Sequence, residues 1–183
     1  PNRWMTIIGD TAQTSDEAGT RSWREVLQPY VANRWQLREL TVNYRTPDEI
    51  MRYAIRVLDR IGGSETAPTS LRSNGIAPVA VPTDDIGAAV VEVSKEQYSG
   101  LTAVLVPESL EATVSSALAD AGLDDPPRVF TVRTAKGLEF DTTIVVEPAA
   151  IIAESENDVR YGYSDLYVAL TRATQRLIVV HTE

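Results

Sequence analysis

The chain contains 183 residues, of which 43% are hydrophobic and 23% are charged, which suits a globular protein with one full α/β domain and part of another. It has no cysteine and one histidine, His181, so disulfides and Cys/His zinc sites are excluded. The net charge of −9 argues against nonspecific binding of the whole surface to a phosphate backbone. The sequence has neither a secretion signal nor a run of roughly 20 apolar residues, so we expect a cytoplasmic protein with no membrane partner.

The first part of the chain predicts a few elements separated by polar loops. We expect a strand over 5–9, a loop over 11–20, a short helix over 22–31 and a strand over 37–43. Thr46-Pro47 then predicts a helix with Thr46 as its N-cap, which Gly62-Gly63 ends before a Pro/Gly/Ser-rich loop over 64–78. The apolar positions of this helix predict a core face of Ile50, Ala54, Val57, Leu58 and Ile61.

The rest of the chain alternates between apolar strands and amphipathic helices. We expect strands over 79–82, 101–106, 128–133, 142–147 and 177–180. Helices are expected over 84–93, 107–122 and 163–172. Apolar strands that alternate with helices are typical of a parallel sheet covered on both faces. The sequence therefore predicts an α/β fold of the P-loop or doubly wound type.

Four short stretches combine residue types suited to nucleotide or nucleic-acid chemistry, and the first is GDTAQ at 9–13. A strand that ends in Gly-Asp and is followed by Gln13 can present an amide at the C-terminal edge of a sheet, where α/β proteins bind ligands. The alternative is a turn with a surface glutamine.

The second stretch is NYR at 43–45, where the strand over 37–43 gives way to a helix. Arginine offers a planar fork of donors with a permanent charge, so Arg45 is suited to bridging phosphate oxygens. The alternative is an ion pair between Arg45 and a surface carboxylate such as Asp48.

The third and most specific stretch is TVRTAKGLEFD at 131–141. Gly137 permits a sharp turn after the strand, and Glu139 then stands in an apolar context. Thr134 and Lys136 could bind a phosphodiester backbone, and Glu139 could accept hydrogen bonds from a ribose hydroxyl. An ordinary β-turn explains the glycine but not the combination.

The fourth stretch is YVALTRATQRL at 167–177, in which Arg172 lies near the C-terminal end of a helix. The helix dipole favours a cation at that end, which is one interpretation of Arg172. The other is an arginine finger that crosses a domain boundary and stabilises charge on a transferred phosphoryl group.

GDTAQ, NYR, TAKGLEFD and YVALTRA, in this order, resemble motifs III, IV, V and VI of the UvrD/Rep-like superfamily 1 helicases. In that family two RecA-like domains clamp ATP between them, and hydrolysis drives movement along a single strand. The resemblance implies that Gln13, Arg45 and Arg172 act in catalysis at the γ-phosphate. It also implies that Gly137 and Glu139 complete the ATP contacts, with Glu139 at the ribose, and that Thr134 and Lys136 face the nucleic acid.

The resemblance divides the chain into two parts. Residues 1–35 are expected to be the tail of a first RecA-like domain, and residues 36–183 to be the second. The sequence contains neither a GxxxxGK[ST] loop nor the Asp-Glu pair that would hold magnesium. We therefore expect an upstream P-loop domain of the same chain to form the ATP and Mg²⁺ site jointly with these residues. We expect this fragment alone to be inactive and to have no metal ligands of its own.

Two departures from the family pattern indicate a branch. After Gln13 the sequence continues TSDEAGT, which lacks the aromatic and basic residues that hold single-stranded bases in the family. Only 85 residues lie between Arg45 and Thr131, too few for the large domain that duplex-unwinding members insert there. The pattern is similar to the HelD branch, which implies RNA polymerase as a partner alongside single-stranded nucleic acid.

Two other functions remain open at this point. One is a duplex-unwinding DNA helicase of the UvrD/Rep type, and the other is a non-catalytic interaction module that keeps a RecA-like fold. A basic row of Arg52, Arg56 and Arg60 on the predicted helix after Pro47 indicates a solvated face or, alternatively, a surface for nucleic acid or a partner.

Overall fold

The computed structural model describes residues 4–14, 22–61, 68–155 and 158–182. Its helices are α1 (Trp23–Val31), α2 (Asp48–Ile61), α3 (Ile86–Ser94), α4 (Glu111–Asp120), α5 (Pro148–Ala153) and α6 (Val159–Leu170). Its strands are β1 (Val42–Asn43), β2 (Thr69–Ser70), β3 (Val79–Pro82), β4 (Thr102–Val106), β5 (Arg128–Thr131), β6 (Phe140–Val146) and β7 (Ala173–His181). Short 3-10 turns occur at Thr11–Gln13 and Glu108–Leu110. Within these ranges no helix has the length and apolar character of a membrane span.

Five strands form one parallel sheet in the order β3-β7-β6-β4-β5. The short strands β1 and β2 form a separate parallel pair. Parallel neighbours require the chain to cross a face of the sheet between strands, and helices provide most of these crossings. The predicted fold class, an α/β protein with a mostly parallel sheet and helices on both faces, is confirmed.

Successive residues along the central strands fill two separate cores, because neighbouring side chains of a strand point to opposite faces. One core joins Leu105, Val145 and Val179 to helices α2, α5 and α6. The other joins Val104 and Ile144 to helices α3 and α4. Burial on both faces explains why consecutive residues in the middle of these strands are apolar.

Helix α2 presents the predicted apolar face to the first of these cores. Ile50 and Ala54 are fully buried, and the remaining predicted positions, Val57, Leu58 and Ile61, pack against the core with partial exposure. Thr46 does not cap the helix as predicted, because its hydroxyl has no hydrogen-bond partner among the described residues. Instead the Arg72 carbonyl accepts a hydrogen bond from Asp48 N at 2.8 Å, so a distant segment satisfies this helix end.

Helix α5 was not predicted, and it helps to position α6. The two helices approach so closely at Gly162 that a Cβ atom there would lie 2.1 Å from the carbonyl oxygen of Ile152. Helix α6 extends over Val159–Leu170 rather than over 163–172, and it is buried over most of its length. The chain then enters β7 at once, so Arg172 lies between a buried helix and a central strand.

The segment before β1 differs most from the prediction. Residues 4–10 form no strand, and Trp4 and Ile8 are 92% and 87% exposed. A strand forms only where a neighbour accepts its backbone hydrogen bonds, and no described strand lies beside this run. For the same reason the strand predicted over 37–43 is reduced to the two residues that meet β2. Helix α1 forms but buries none of its residues.

The other predicted elements are present, with shifted ends. The strand predicted over 128–133 ends at Thr131, because the chain turns over 132–137, and β6 begins two residues earlier than predicted. The acidic stretch at 15–20, the helix stop at Gly62-Gly63 and the loop residues 64–67 lie outside the described residues.

Candidate functional site

Four separate segments of the chain meet at the edge of the sheet where β6 and β7 begin. The backbone N–H of Phe140 donates to the carbonyl of Arg172 at 3.0 Å, which joins the loop before β6 to the end of α6. The Thr11–Gln13 turn packs on α6 through the buried Ala12, and Arg45 reaches the same loop from the end of β1. The expectation that Gln13 lies at a carboxyl edge of a strand was wrong, since no strand precedes it and the cluster lies at the amino ends of β6 and β7.

Arg45 forms an ion pair with Glu139, another of the predicted site residues. The distance from Arg45 Nη1 to Glu139 Oε1 is 2.5 Å, and the side chains are 38% and 47% exposed. Asp48, the alternative partner, pairs with Arg52 instead. The Asn43 side chain accepts hydrogen bonds from the backbone N–H groups of residues 45 and 46, which fixes the turn after β1. Arg45 Nε is buried without a hydrogen-bond partner in the described part of the chain, so this arginine has a donor to spare.

Arg172 lies deeper in the molecule, with only 3% of its surface exposed. Its Nε donates to the Val168 carbonyl at 3.1 Å, and its Nη1 donates to the Leu138 carbonyl at 3.3 Å. Burial, and then the charge of nearby Arg45, lower the pKa of Arg172, while Glu139 is its strongest opposing influence. The guanidinium therefore lies at the carbonyl end of α6, where the helix dipole favours a cation. The role of Arg172 as an arginine finger stays a prediction.

Gln13 lies in a turn that its own side chain helps to close. Gln13 Nε2 donates to Asp10 Oδ2 at 2.5 Å, and Asp10 Oδ1 accepts a hydrogen bond from Ala12 N at 3.0 Å. Asp10 is close enough to Arg172 to raise the pKa of that guanidinium. The hydrogen bonds described for these residues do not join Gln13 to Arg45 or Arg172, although the turn that carries Gln13 packs on α6 beside the site.

The turn over 132–137 carries the two residues predicted to meet nucleic acid. Thr134 and Lys136 are exposed, whereas Ala135 between them is buried and holds the turn against the core. The Thr134 hydroxyl donates to the carbonyl of Thr131 at 3.1 Å. Gly137 has a φ of +84°, a conformation that favours glycine, and it redirects the chain toward Glu139. Gly137 thus shapes the site through its backbone.

Two residues that hold the site together were not predicted from the sequence. Asp141 accepts hydrogen bonds from Leu101 N at 2.8 Å and from Gln175 Nε2 at 2.6 Å, and chiefly the Leu101 N–H keeps the pKa of Asp141 below its ordinary value. Arg72 donates to the carbonyls of Arg45 and Thr174. These partners are 40 and 34 residues from Asp141 and 27 and 102 residues from Arg72, so local pattern gives no signal for them.

The arrangement combines the cations of Arg45 and Arg172 with the carboxylate of Glu139. The charge of Arg45 helps to lower the pKa of Arg172, and Glu139 pairs with Arg45 from the loop before β6. The exposed part of the Arg45 guanidinium suits a phosphate oxygen, and the half-exposed carboxylate of Glu139 suits a hydroxyl donor such as that of ribose. Within the described residues, no group of three or more acidic or histidine side chains is placed to hold a metal ion.

Comparisons with known proteins match part of the chain. Residues 127–180 match the family of the UvrD-like helicase C-terminal domain. That span includes Glu139 and Arg172 but neither Gln13 nor Arg45. No curated protein sequence matches the chain.

Two solved structures match the chain at low sequence identity. The C-terminal domain of a possible DNA helicase from Lactobacillus plantarum WCFS1 has 18% identity and a TM-score of 0.48, covering 76% of this chain and 88% of that one. The PRRSV helicase nsp10 has 19% identity and a TM-score of 0.39, covering 76% of this chain and 23% of that one.

Proposed function

We propose that this chain is the second RecA-like portion of an ATP-dependent nucleic-acid motor of the UvrD-like kind. The observation that carries the proposal is the meeting of Arg45, Glu139 and Arg172 at one edge of the sheet, although the first two lie 94 positions apart. Arg45 and Arg172 suit the triphosphate of a nucleotide, and the Glu139 carboxylate suits its ribose. The family match over residues 127–180 supports the same conclusion independently of Arg45.

In this function the two arginines act on the phosphate tail. The transition state of phosphoryl transfer spreads negative charge over the transferred group, and fixed cations stabilise it without reorganisation. Arg45 approaches from the exposed side and Arg172 from the end of α6. Phosphate oxygens compete with Glu139 for Arg45, which frees the Glu139 carboxylate to accept the ribose hydroxyl.

The nucleotide site needs a second wall, which we assign to a first RecA-like domain with a P-loop. That domain would hold ATP and Mg²⁺, because this sequence has no P-loop and its Asp-Glu pairs, at 16–17 and 48–49, do not follow an apolar strand. We assign residues 1–35 to its tail and residues 36–183 to the second domain. The exposed side chains of Trp4, Ile8 and Tyr30 support this boundary, and the packing of Ala12 on α6 would be a contact between the two domains. Gln13 would then report on the γ-phosphate.

The nucleic-acid track would pass the turn over 132–137. Thr134 and Lys136 are exposed on that turn, close in sequence to Glu139, so strand binding and nucleotide binding share one loop. A loop that contacts both ligands offers a direct route from hydrolysis to movement along the strand. The acidic net charge keeps such contacts local.

The test is ATP hydrolysis by the protein that carries this chain together with its P-loop domain, measured with and without oligo(dT) or poly(U). We expect a strand-stimulated ATPase whose kcat falls by on the order of 10²- to 10³-fold in Arg45→Ala, with ATP affinity kept. The matched control is Arg128→Ala, since Arg128 is exposed on the edge strand β5 and has no ion pair among the described residues. An unchanged rate in Arg45→Ala would sink the role of this arginine, and a wild-type protein without ATPase would favour a non-catalytic interaction module.

We further propose that the motor acts as HelD does, on RNA polymerase, rather than by unwinding duplexes. The described residues between Arg45 and Thr131 build helices α2, α3 and α4 and strands β2, β3 and β4, and they contain no inserted domain. A strand-displacement assay with a forked duplex and an assay of RNA polymerase release from DNA separate the two functions. Efficient displacement without polymerase would overturn this choice and favour a UvrD/Rep-type helicase.

A further inference from the structure

We propose that Arg72 is a positioning residue that fixes the position of Arg45 relative to Arg172. This inference rests on the proposed function, and it extends the site to a loop that lies outside the matched span of residues 127–180. The loop over 72–75 follows β2 and leads toward β3. It contacts the end of β1, the start of α2 and the start of β7.

The side chain of Arg72 joins the segment that carries Arg45 to the segment that follows Arg172. Its Nη1 donates to the carbonyl of Arg45 at 3.3 Å, and its Nη2 donates to the carbonyl of Thr174 at 3.0 Å. Thr174 follows Arg172 by two residues, so one planar guanidinium fixes the backbone beside both arginines. A fork of two donors fits this bridge, whereas a single ammonium does not reproduce its geometry.

The rest of the loop anchors Arg72 on both sides. Its carbonyl accepts a hydrogen bond from Asp48 N at 2.8 Å, and Asn74 Nδ2 donates to the Gln175 carbonyl at 2.6 Å. Glu49 accepts hydrogen bonds from the Ser73 hydroxyl at 2.6 Å and from Gly75 N at 2.8 Å. The 72–75 loop is therefore tied to the helix that follows Arg45 and to the strand that follows Arg172.

Because the described hydrogen bonds of the Arg72 side chain go to the backbone carbonyls of Arg45 and Thr174, Arg72 would act through the placement of Arg45. A small misplacement of a group that stabilises the transition state lowers kcat more than it changes substrate binding. We expect Arg72→Ala to lower kcat for strand-stimulated ATP hydrolysis about ten- to a hundredfold, with a much smaller change in KM. Arg72→Lys keeps the charge but not the fork, so we expect it to resemble Arg72→Ala.

A double-mutant cycle separates this role from a general loss of structure. If Arg72 acts through Arg45, the double variant Arg72→Ala/Arg45→Ala should hydrolyse ATP no more slowly than Arg45→Ala alone. Additive losses would overturn the proposal, because they show that the two residues act separately. Full activity in Arg72→Lys would also overturn it, since charge alone would then suffice.

Amide hydrogen exchange tests the same link without catalysis. In the protein with its P-loop domain, Arg72→Ala should speed the exchange of the Arg45 and Thr46 amides, which bond to the Asn43 side chain, and leave the β4 amides unchanged. Unchanged exchange at these two amides would overturn the inference. A wild-type protein that lacks ATPase would instead overturn the proposed function, while the exchange result would still decide the role of Arg72.

Discussion

Arg45 and Arg172 reach the same edge of the sheet from opposite surroundings. Arg172 leaves a buried helix, is 3% exposed, and donates to two backbone carbonyls. Arg45 follows a two-residue strand at the periphery, and its half-exposed side chain pairs with Glu139. Two residues with the same expected role in catalysis can thus differ in their contribution to stability. We expect the fold to depend on the side chain of Arg172 much more than on that of Arg45.

The largest expected effect is the loss of stability on replacing Arg172, compared with the loss on replacing Arg45. Arg172→Ala removes both charge-assisted hydrogen bonds, one to the carbonyl of the buried Val168 and one to the carbonyl of the more exposed Leu138. We expect the free energy of unfolding to fall by about 2 to 3 kcal/mol. Loss of the Arg45–Glu139 pair in Arg45→Ala should cost below about 1 kcal/mol, since exposed ion pairs contribute little.

Urea unfolding of both variants measures the two costs side by side. Arg172→Lys serves as the control, because it keeps a cation near the end of α6 but cannot reproduce the planar fork. Equal stability losses in the Arg172 and Arg45 alanine variants would break the comparison. The same measurement decides how a slow ATPase in Arg172→Ala should be interpreted, since a destabilised variant loses activity without any role at the phosphate.

The buried half of this comparison could be predicted from sequence. Residues 103–106 are apolar at every position, so they predict a strand buried on both faces, and α2 shows its core positions at helical spacing. Periodicity therefore suffices where the deciding contacts are apolar and repeat along the chain. The resemblance carried by the four motifs also implies a shared nucleotide site for Arg45, Glu139 and Arg172, and this role stays a prediction.

The periphery could not be predicted in this way. Residues 5–9 alternate well enough for a strand but have no strand to pair with, and Thr46 has the right residue type for a cap that Arg72 provides instead. The pairs that hold the site, Arg45 with Glu139 and Arg72 with Thr174, join residues 94 and 102 positions apart. Such pairs leave no periodic trace, because each depends on the finished fold.

Asp141 offers a sharper test on the Arg172 side. Its carboxylate joins the starts of β4 and β7 to the start of β6, so Asp141→Ala removes hydrogen bonds to Leu101 N and Gln175 Nε2 at once. We expect a loss of about 1 to 2 kcal/mol in the free energy of unfolding, smaller than for Arg172→Ala. Asp124→Ala is the control, since Asp124 is exposed and makes no described hydrogen bond. No difference between the two variants would show that the Asp141 network is dispensable.

The smallest expected effect lies on the Arg45 side and depends on pH. Hydrogen bonds, first from the Ser73 hydroxyl, lower the pKa of Glu49 to about 2 from an ordinary 4.5. A folded-state pKa below the ordinary value means that Glu49 stabilises the fold above pH 4.5 and loses this contribution as the pH falls toward 2. Glu49→Gln should therefore lower stability at neutral pH and flatten its decline in that acid window, measured by urea unfolding across pH. Glu111→Gln, which changes an exposed glutamate of α4, should keep the wild-type decline, and an unaltered decline in Glu49→Gln would mean that the 72–75 loop holds Arg45 without help from this carboxylate.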